Sequence, residues 1–474
     1  MKESGGASVA RRLARLDRRY VWHPFTQMRD WLRTEPTVIV GGEGACLVDA
    51  RGKRYLDANA SIWTNLHGHR HPRLDRAIRC QLGKIAHCSA LGLANEPAAL
   101  LAEKLVRLAP RGLAKVFYSD DGSTALEVAL KMAWQCAASF RSGSQKRRAA
   151  RFLALEDAYH GDTIGAVSLG GIATFHDAYR PLLFPTHRVR APFCYRCPHN
   201  RAKPERADAR AYRRCNWECL DPVERVLTPP RVGGRASAPL VGAVLEPLVQ
   251  GTAGMIAHPE GYLRRFARLC RAAKTPLILD EVMTGFGRTG RMFACEQEGV
   301  APDFLCVAKG LTGGYLPLAA TLATRRVFEA FLGDYAEKKT FFHGHSYTAN
   351  PLGCAAALAN LEIFEKEKTL ARGRRLGAAL EAQIARFWAS PHVGDIRRVG
   401  LLAGIELVRD WRTREPFPWS ARVGMRVCEE AKKRGVLTRP IGNVLVVMPP
   451  YCVTEDELAR IADALLAGIR RVCG

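Results

Sequence analysis

Short, continuous apolar runs alternate with helical stretches through the middle of the chain, and this alternation limits the possible folds more than any other feature. The runs are Val116-Phe117-Tyr118, Phe152 to Leu155, Val241 to Leu245, Leu277-Ile278-Leu279 and Phe304 to Val307. None alternates apolar with polar residues, so each strand needs cover on both faces. Apolar residues recur at helical spacing over 98–108, 124–138, 351–365 and 455–472. Strands of this kind with helices between them predict an α/β domain around a mostly parallel sheet. At 474 residues the chain can supply two or three such units.

The two ends read differently from the middle. Val40 to Gly44 and Asp49 to Lys53 look like hairpin turns. Residues 1–69 and 366–474 are expected to combine as a smaller α+β domain, leaving 70–365 as the large domain. Residues 192–239 are polar and rich in Arg, Cys and Pro, and read as an excursion on the surface. The arginine-rich first twenty residues read as an amphipathic surface helix.

Composition removes several classes of function. No run of about 18 apolar residues occurs, so no membrane span is expected. The start lacks the apolar core of a secretory signal, which favours a cytoplasmic protein. A net charge of +25 raises nucleic acid as a partner. The arginines, however, come as scattered pairs such as Arg147-Arg148, Arg213-Arg214 and Arg470-Arg471, with no basic stripe, so none is expected. Fifteen cysteines, an odd number in so large a chain, do not suggest a disulfide framework. Two close pairs, Cys194 with Cys197 and Cys215 with Cys219, have a spacing that tetrahedral zinc can use. The three-residue gap in the second pair and the absence of glycine from Asn200 to Arg214 favour reduced loop thiols, so no metal is expected.

The chemistry lies where strands end. Gly285 to Gly290 spells GxGxxG after a strand, but no helix opens there, so dinucleotide binding is not supported. Asp280 closes the run before it, where α/β sheets bind their ligands. Lys309 follows the next run; burial there would lower its pKa and free a nucleophilic amine. An acid for a pyridinium nitrogen and a lysine for a Schiff base are what pyridoxal phosphate requires. Gly122 and Ser123 lead from a strand into a helix, an anion site suited to its phosphate. Thr124 and Glu127 have the spacing of a capping box. Tyr159, after another strand, offers a ring to lie against the pyridine.

The set Gly122-Ser123-Thr124, Tyr159 to Thr163, Glu246-Pro247, Asp280 to Gly290 and Lys309-Gly310 closely resembles the class III pyridoxal-phosphate aminotransferases from Trp22 to Pro450. The resemblance implies a fold-type I transferase in which Lys309 carries the cofactor and Asp280 holds its ring nitrogen. By the same resemblance Tyr159 would stack on the ring and complete the catalytic set. Gly122 and Ser123 bind the phosphate, with His345 and Ser346 reaching it from a second subunit, which implies a homodimer. Trp22 to Met28, His343 to Pro351 and Thr438 to Gly442 resemble the biotin-biosynthesis branch of the class. That branch implies 8-amino-7-oxononanoate as acceptor, held by Arg439 in a pocket with Trp63, Tyr159, Lys309 and Gly344. The implied donor is S-adenosylmethionine, with lysine as the alternative because Phe25 and Ile62 replace a tyrosine and a tryptophan. Another class III enzyme, acting on ω-amino acids or diamines, is the competing reading.

Overall fold

Seven strands make the central sheet, and the computed structural model describes them within residues 3–139, 151–229 and 240–474. The Arg147-Arg148 pair and the end of the excursion at 230–239 lie outside the described residues. From one edge the strands run Leu113–Ser119, Ala319–Thr324, Phe304–Val307, Leu277–Asp280, Leu240–Leu245, Arg151–Leu155 and Thr186–Val189. Only Ala319–Thr324 runs antiparallel to its neighbours. The other six share one direction, so their carboxyl ends open along one edge.

All five apolar runs are strands of this sheet, and the four helical stretches fall within helices Glu96–Leu108, Gly122–Ser139, Pro351–Lys366 and Glu455–Cys473. The core explains why. Phe304, Leu305, Cys306 and Val307 are all fully buried, although side chains alternate between faces. One face packs on the Gly122–Ser139 helix through Leu126, Ala129 and Leu130, and the other joins the main core. Ala319–Thr324 was not expected. Its Ala-Ala-Thr-Leu-Ala-Thr sequence has too little apolar bulk to announce a strand, yet it pairs on both sides.

Residues near both ends build two smaller sheets. Ile39–Glu43, Cys46–Asp49 and Arg54–Asp57 form consecutive hairpins, and Val436–Leu437 joins them parallel to Arg54–Asp57. Val393–Val399, Leu402–Asp410 and Val444–Val447 form the second sheet. Glu3–Tyr20 is a helix. The excursion departs from expectation, because it is not simply a surface strand of chain. Tyr195, Ala209 and Val223 are buried, and Arg196 binds Glu406 of the second small sheet through Nε (2.9 Å) and Nη2 (2.5 Å). Its arginines reach inward to a carboxylate and to carbonyls of the small sheet: Arg196 to Glu406, Arg206 to the Val393 carbonyl and Arg210 to the Arg398 carbonyl.

Candidate active site

Four parallel strand ends deliver one group each to the same place. Leu277–Asp280 ends in Asp280, which is buried; its Oδ1 accepts from the Val282 amide (3.1 Å) and its Oδ2 lies 2.7 Å from His160 Nδ1. His160 follows strand Arg151–Leu155. Glu246 follows Leu240–Leu245, and its carboxylate accepts from the amides of Tyr159 (3.2 Å) and Gly251 (2.9 Å). Lys309 follows Phe304–Val307 at φ 41°, a left-handed conformation that a lysine rarely adopts. Its Nζ stands 4.9 Å from the centre of the Trp63 ring.

The charges in this cluster set one another. Burial lowers the Lys309 pKa below the usual amine value, with Asp280 and Glu246 opposing it. Burial pushes Glu246 up to about 7 while His160 partly opposes the shift. Burial also works against a charged His160, but Asp280 and Glu246 outweigh it and raise its pKa. His160 Nε2 is buried and has no hydrogen-bond partner among the described residues.

The phosphate-type turn sits beside this cluster because two glycines permit it. A Cβ on Gly122 would fall 2.6 Å from Val282 Cγ1, next to Asp280. Gly161 has φ 119°, and a Cβ there would fall 2.1 Å from Ser123 Oγ. The Gly122 and Ser123 amides open an 18-residue helix and carry the positive end of its dipole. The expected capping box does not form. Asp121 Oδ1 instead accepts from the Thr124 amide (2.9 Å), and Glu127 accepts from Gly165 (2.7 Å) and Ala166 (3.2 Å) on the next helix. Asp121 wins because it is already at the cap position, so Glu127 is left to satisfy another helix start.

Aromatic side chains wall the cluster. The Tyr159 hydroxyl donates to Asp162 Oδ2 (2.7 Å), and its ring meets Phe25 and Phe175 edge-on at 6.4 Å. Trp63 is buried and donates through Nε1 to Asn59 Oδ1 (2.8 Å). It ends a left-handed turn in which Ala60, Ser61, Ile62 and Trp63 all have positive φ. Such residues cost roughly 1–2 kcal/mol each, a strain located at this site.

Arg439 is exposed and donates through Nη2 to the Phe25 carbonyl (2.5 Å), which places it at the rim behind Phe25. His345 Nδ1 lies 3.5 Å from Asp120 of the same chain, two residues before Gly122. Ser346 and Gly344 are exposed. Lys309, Asp280, Tyr159 and Trp63 are thus gathered with the Gly122-Ser123 turn, while Arg439, Gly344 and Ser346 stand further out. Sequence reasoning gave no role to His160, Glu246 or Asp162. Glu246 had a signal, as the lone acid closing the most apolar run of the chain.

Comparison with known proteins follows the same lines. The family described as aminotransferase class-III matches residues 29–469. The adenosylmethionine-8-amino-7-oxononanoate aminotransferase of Geobacter sulfurreducens is 49% identical over 458 residues, 97% of each chain. That of Nitratidesulfovibrio vulgaris is 52% identical, covering 98% of this chain and 82% of its own. The solved enzyme of that name from Methanocaldococcus jannaschii superimposes with a TM-score of 0.88 at 41% identity, over 97% of this chain and 98% of its own. An omega transaminase from Pseudomonas jessenii, solved in complex with PMP, gives the same 0.88 at 28% identity, over 97% and 98%.

Proposed function

The chain belongs to the class-III aminotransferases, and from that premise we propose that it moves an amino group onto 8-amino-7-oxononanoate, giving 7,8-diaminononanoate for biotin synthesis, with pyridoxal phosphate as cofactor. The observation that carries the reading is the gathering of Lys309, Asp280, Glu246 and His160 at four adjacent strand ends.

These residues fit the cofactor. Asp280 is a buried carboxylate already oriented by His160, suited to a protonated ring nitrogen. Gly122 and Ser123 start a helix where side chains beyond theirs would collide, suited to a phosphate. Tyr159 supplies a ring face, and Lys309 an amine whose charge is disfavoured by burial. When bound, pyridoxal phosphate supplies an electron sink for the charge released as the donor carbon loses its proton.

The chain's own residues then have distinct tasks. Lys309 would hold the cofactor through Nζ, and the same amine is placed to take and return the proton at the donor's amino-bearing carbon. Its lowered pKa supports that role, since a neutral amine can accept a proton and an ammonium cannot. Asp280 would pair with the protonated ring nitrogen, and His160 aims that carboxyl group through the 2.7 Å contact. Trp63, whose ring centre lies 4.9 Å from Nζ, shields it from water. Arg439, on the rim with Phe25, takes the acceptor carboxylate through its planar fork.

The enzyme acts as a homodimer in this reading. Leu91 is 92% and Phe342 75% exposed, and the His87 and Tyr347 rings, 4.8 Å apart, bring together the two segments that carry them. Phe342 and Tyr347 flank His345 and Ser346 in sequence, and in a dimer formed through these exposed residues His345 and Ser346 would serve the partner's phosphate site. S-adenosylmethionine is the donor by likeness to the named relatives; Phe25 and Ile62 keep lysine as the second choice.

The test is a donor panel on purified holoenzyme with 8-amino-7-oxononanoate as acceptor, product followed by mass spectrometry. S-adenosylmethionine, or else lysine, should give 7,8-diaminononanoate. Turnover of ω-amino acids or diamines, with none of this product, would replace the reading with the general ω-aminotransferase one.

A further inference from the structure

Four thiols meet where the excursion folds back on itself. Cys194 opens the short turn Cys194–Arg196 and Cys197 follows it; Cys219 lies within the turn Glu218–Leu220, a few residues after Cys215. Asn200 ties the two turns together. Its Nδ2 donates to the Cys194 carbonyl (3.0 Å), and its Oδ1 accepts from the Arg214 amide (2.9 Å). The Arg201 amide donates to the Arg214 carbonyl (3.0 Å), closing the loop between the pairs. All four cysteines carry free thiols, and they line one cavity of about 10 Å³ together with His199, Arg213 and Trp217. That is room for about one water-sized sphere.

We propose that this cavity is a structural zinc site, with Cys194, Cys197, Cys215 and Cys219 as four thiolate ligands around one tetrahedral ion. Two close cysteine pairs on two facing turns are the arrangement that structural zinc uses. The thiols surround the cavity without converging on one point; among the described residues, no three His, Cys, Asp or Glu side chains form a ready ligand set. The ion draws the sulfurs inward by side-chain rotation, on turns that backbone hydrogen bonds already hold face to face.

The surroundings favour such a shell. Zinc with four thiolates carries two net negative charges. Arg213 Nη1 lies 3.0 Å from Cys215 Sγ, and Arg213 and Arg265 stand 4.1 and 4.5 Å from the centre of the Trp217 ring. Two guanidinium groups are thus placed to offset that charge. The apolar cluster at the first turn is small, with Cys194, Tyr195 and Ala209 as its buried members, while Cys219 and Val223 join the main core. So small a core needs a staple to order the turns around it. A stapled loop holds Arg196 against Glu406 and Arg414 Nη1 on the Tyr195 carbonyl (2.8 Å).

No electron changes hands in binding. Each thiol releases its proton to solvent as its zinc–sulfur bond forms, four protons for one ion. Protons therefore compete less as pH rises, and zinc binding tightens.

The test uses untagged, full-length holoenzyme purified with reductant and without chelator, its metal measured by plasma mass spectrometry. About one zinc per chain is expected, released when a mercurial titrates the thiols and lost in Cys215→Ser. Cobalt in its place should give thiolate-to-metal charge-transfer absorption. Cys80→Ser, at an exposed thiol elsewhere, should keep the zinc. A folded enzyme with no zinc above the buffer level, or zinc retained in Cys215→Ser, overturns the proposal. If that variant does not fold, the metal content of the unaltered enzyme decides. The cofactor absorbance of the same sample reports separately on the aminotransferase reading.

Discussion

The carboxyl edge of the central sheet and the cysteine-rich excursion both hold charged side chains in place, and they do so differently. At the sheet edge each group is fixed by a strand end and by a neighbour from another strand: His160 on Asp280, Glu246 on the Tyr159 and Gly251 amides. In the excursion, long arginine side chains make the ties. Arg196 reaches Glu406, Arg206 Nη1 reaches the Val393 carbonyl (3.0 Å), and Arg210 Nη2 reaches that of Arg398 (2.8 Å). Short side chains on rigid strands can hold a geometry as exacting as proton transfer needs. Flexible arginines on turns latch two regions together without setting the position of a reacting atom.

Substitutions should separate the two regions. Lys309→Ala should abolish turnover while the protein keeps its fold, because among the described residues no second lysine follows the end of a strand of the central sheet. Single-turnover assays beside a cofactor-only control and a melting curve measure both. Asp280→Asn should cost at least ~10²-fold in rate, the scale of a positioned electrostatic group. A near-normal rate would assign the ring nitrogen to another residue.

Arg439→Ala should act on one substrate only. Loss of its carboxylate pair should weaken the acceptor by about 2 kcal/mol, the low end for such pairs, because Arg439 is exposed in the single chain. The donor half-reaction, followed by cofactor colour, should change little; an equal loss in both would make Arg439 a structural residue. Arg196→Ala should have the smallest effect on chemistry. Glu406 keeps Arg397 Nη1 at 2.5 Å, so the melting temperature should fall by the equivalent of about 1 kcal/mol with kcat unchanged. A large loss of kcat there would show that the latch reaches the reacting groups.

What was legible in the sequence follows the same division. The buried strands announced themselves because cover on both faces demands unbroken apolar runs, and Asp280 and Lys309 stood out as the charges ending them. Ala319–Thr324 did not, since small residues pack there without leaving a pattern. The left-handed turn from Ala60 to Trp63 contains no glycine, so nothing in its composition marks the positive φ values. His160 was hidden for another reason: its importance lies in a 2.7 Å contact with a residue 120 positions away. The excursion was recognised as a departure from the sheet, but its inward arginines look like any surface charge until their partners on Val393–Val399 and Leu402–Asp410 are seen.

The central claim is that the sheet edge presents one amine, Lys309, to the cofactor. Borohydride reduction of the yellow holoenzyme, followed by digestion and peptide mass mapping, measures it directly. The account predicts a reduced pyridoxyl group on the peptide containing Lys309 and on no other lysine. A label on a different lysine, or a colourless protein that takes up no label when supplied with pyridoxal phosphate, would contradict it.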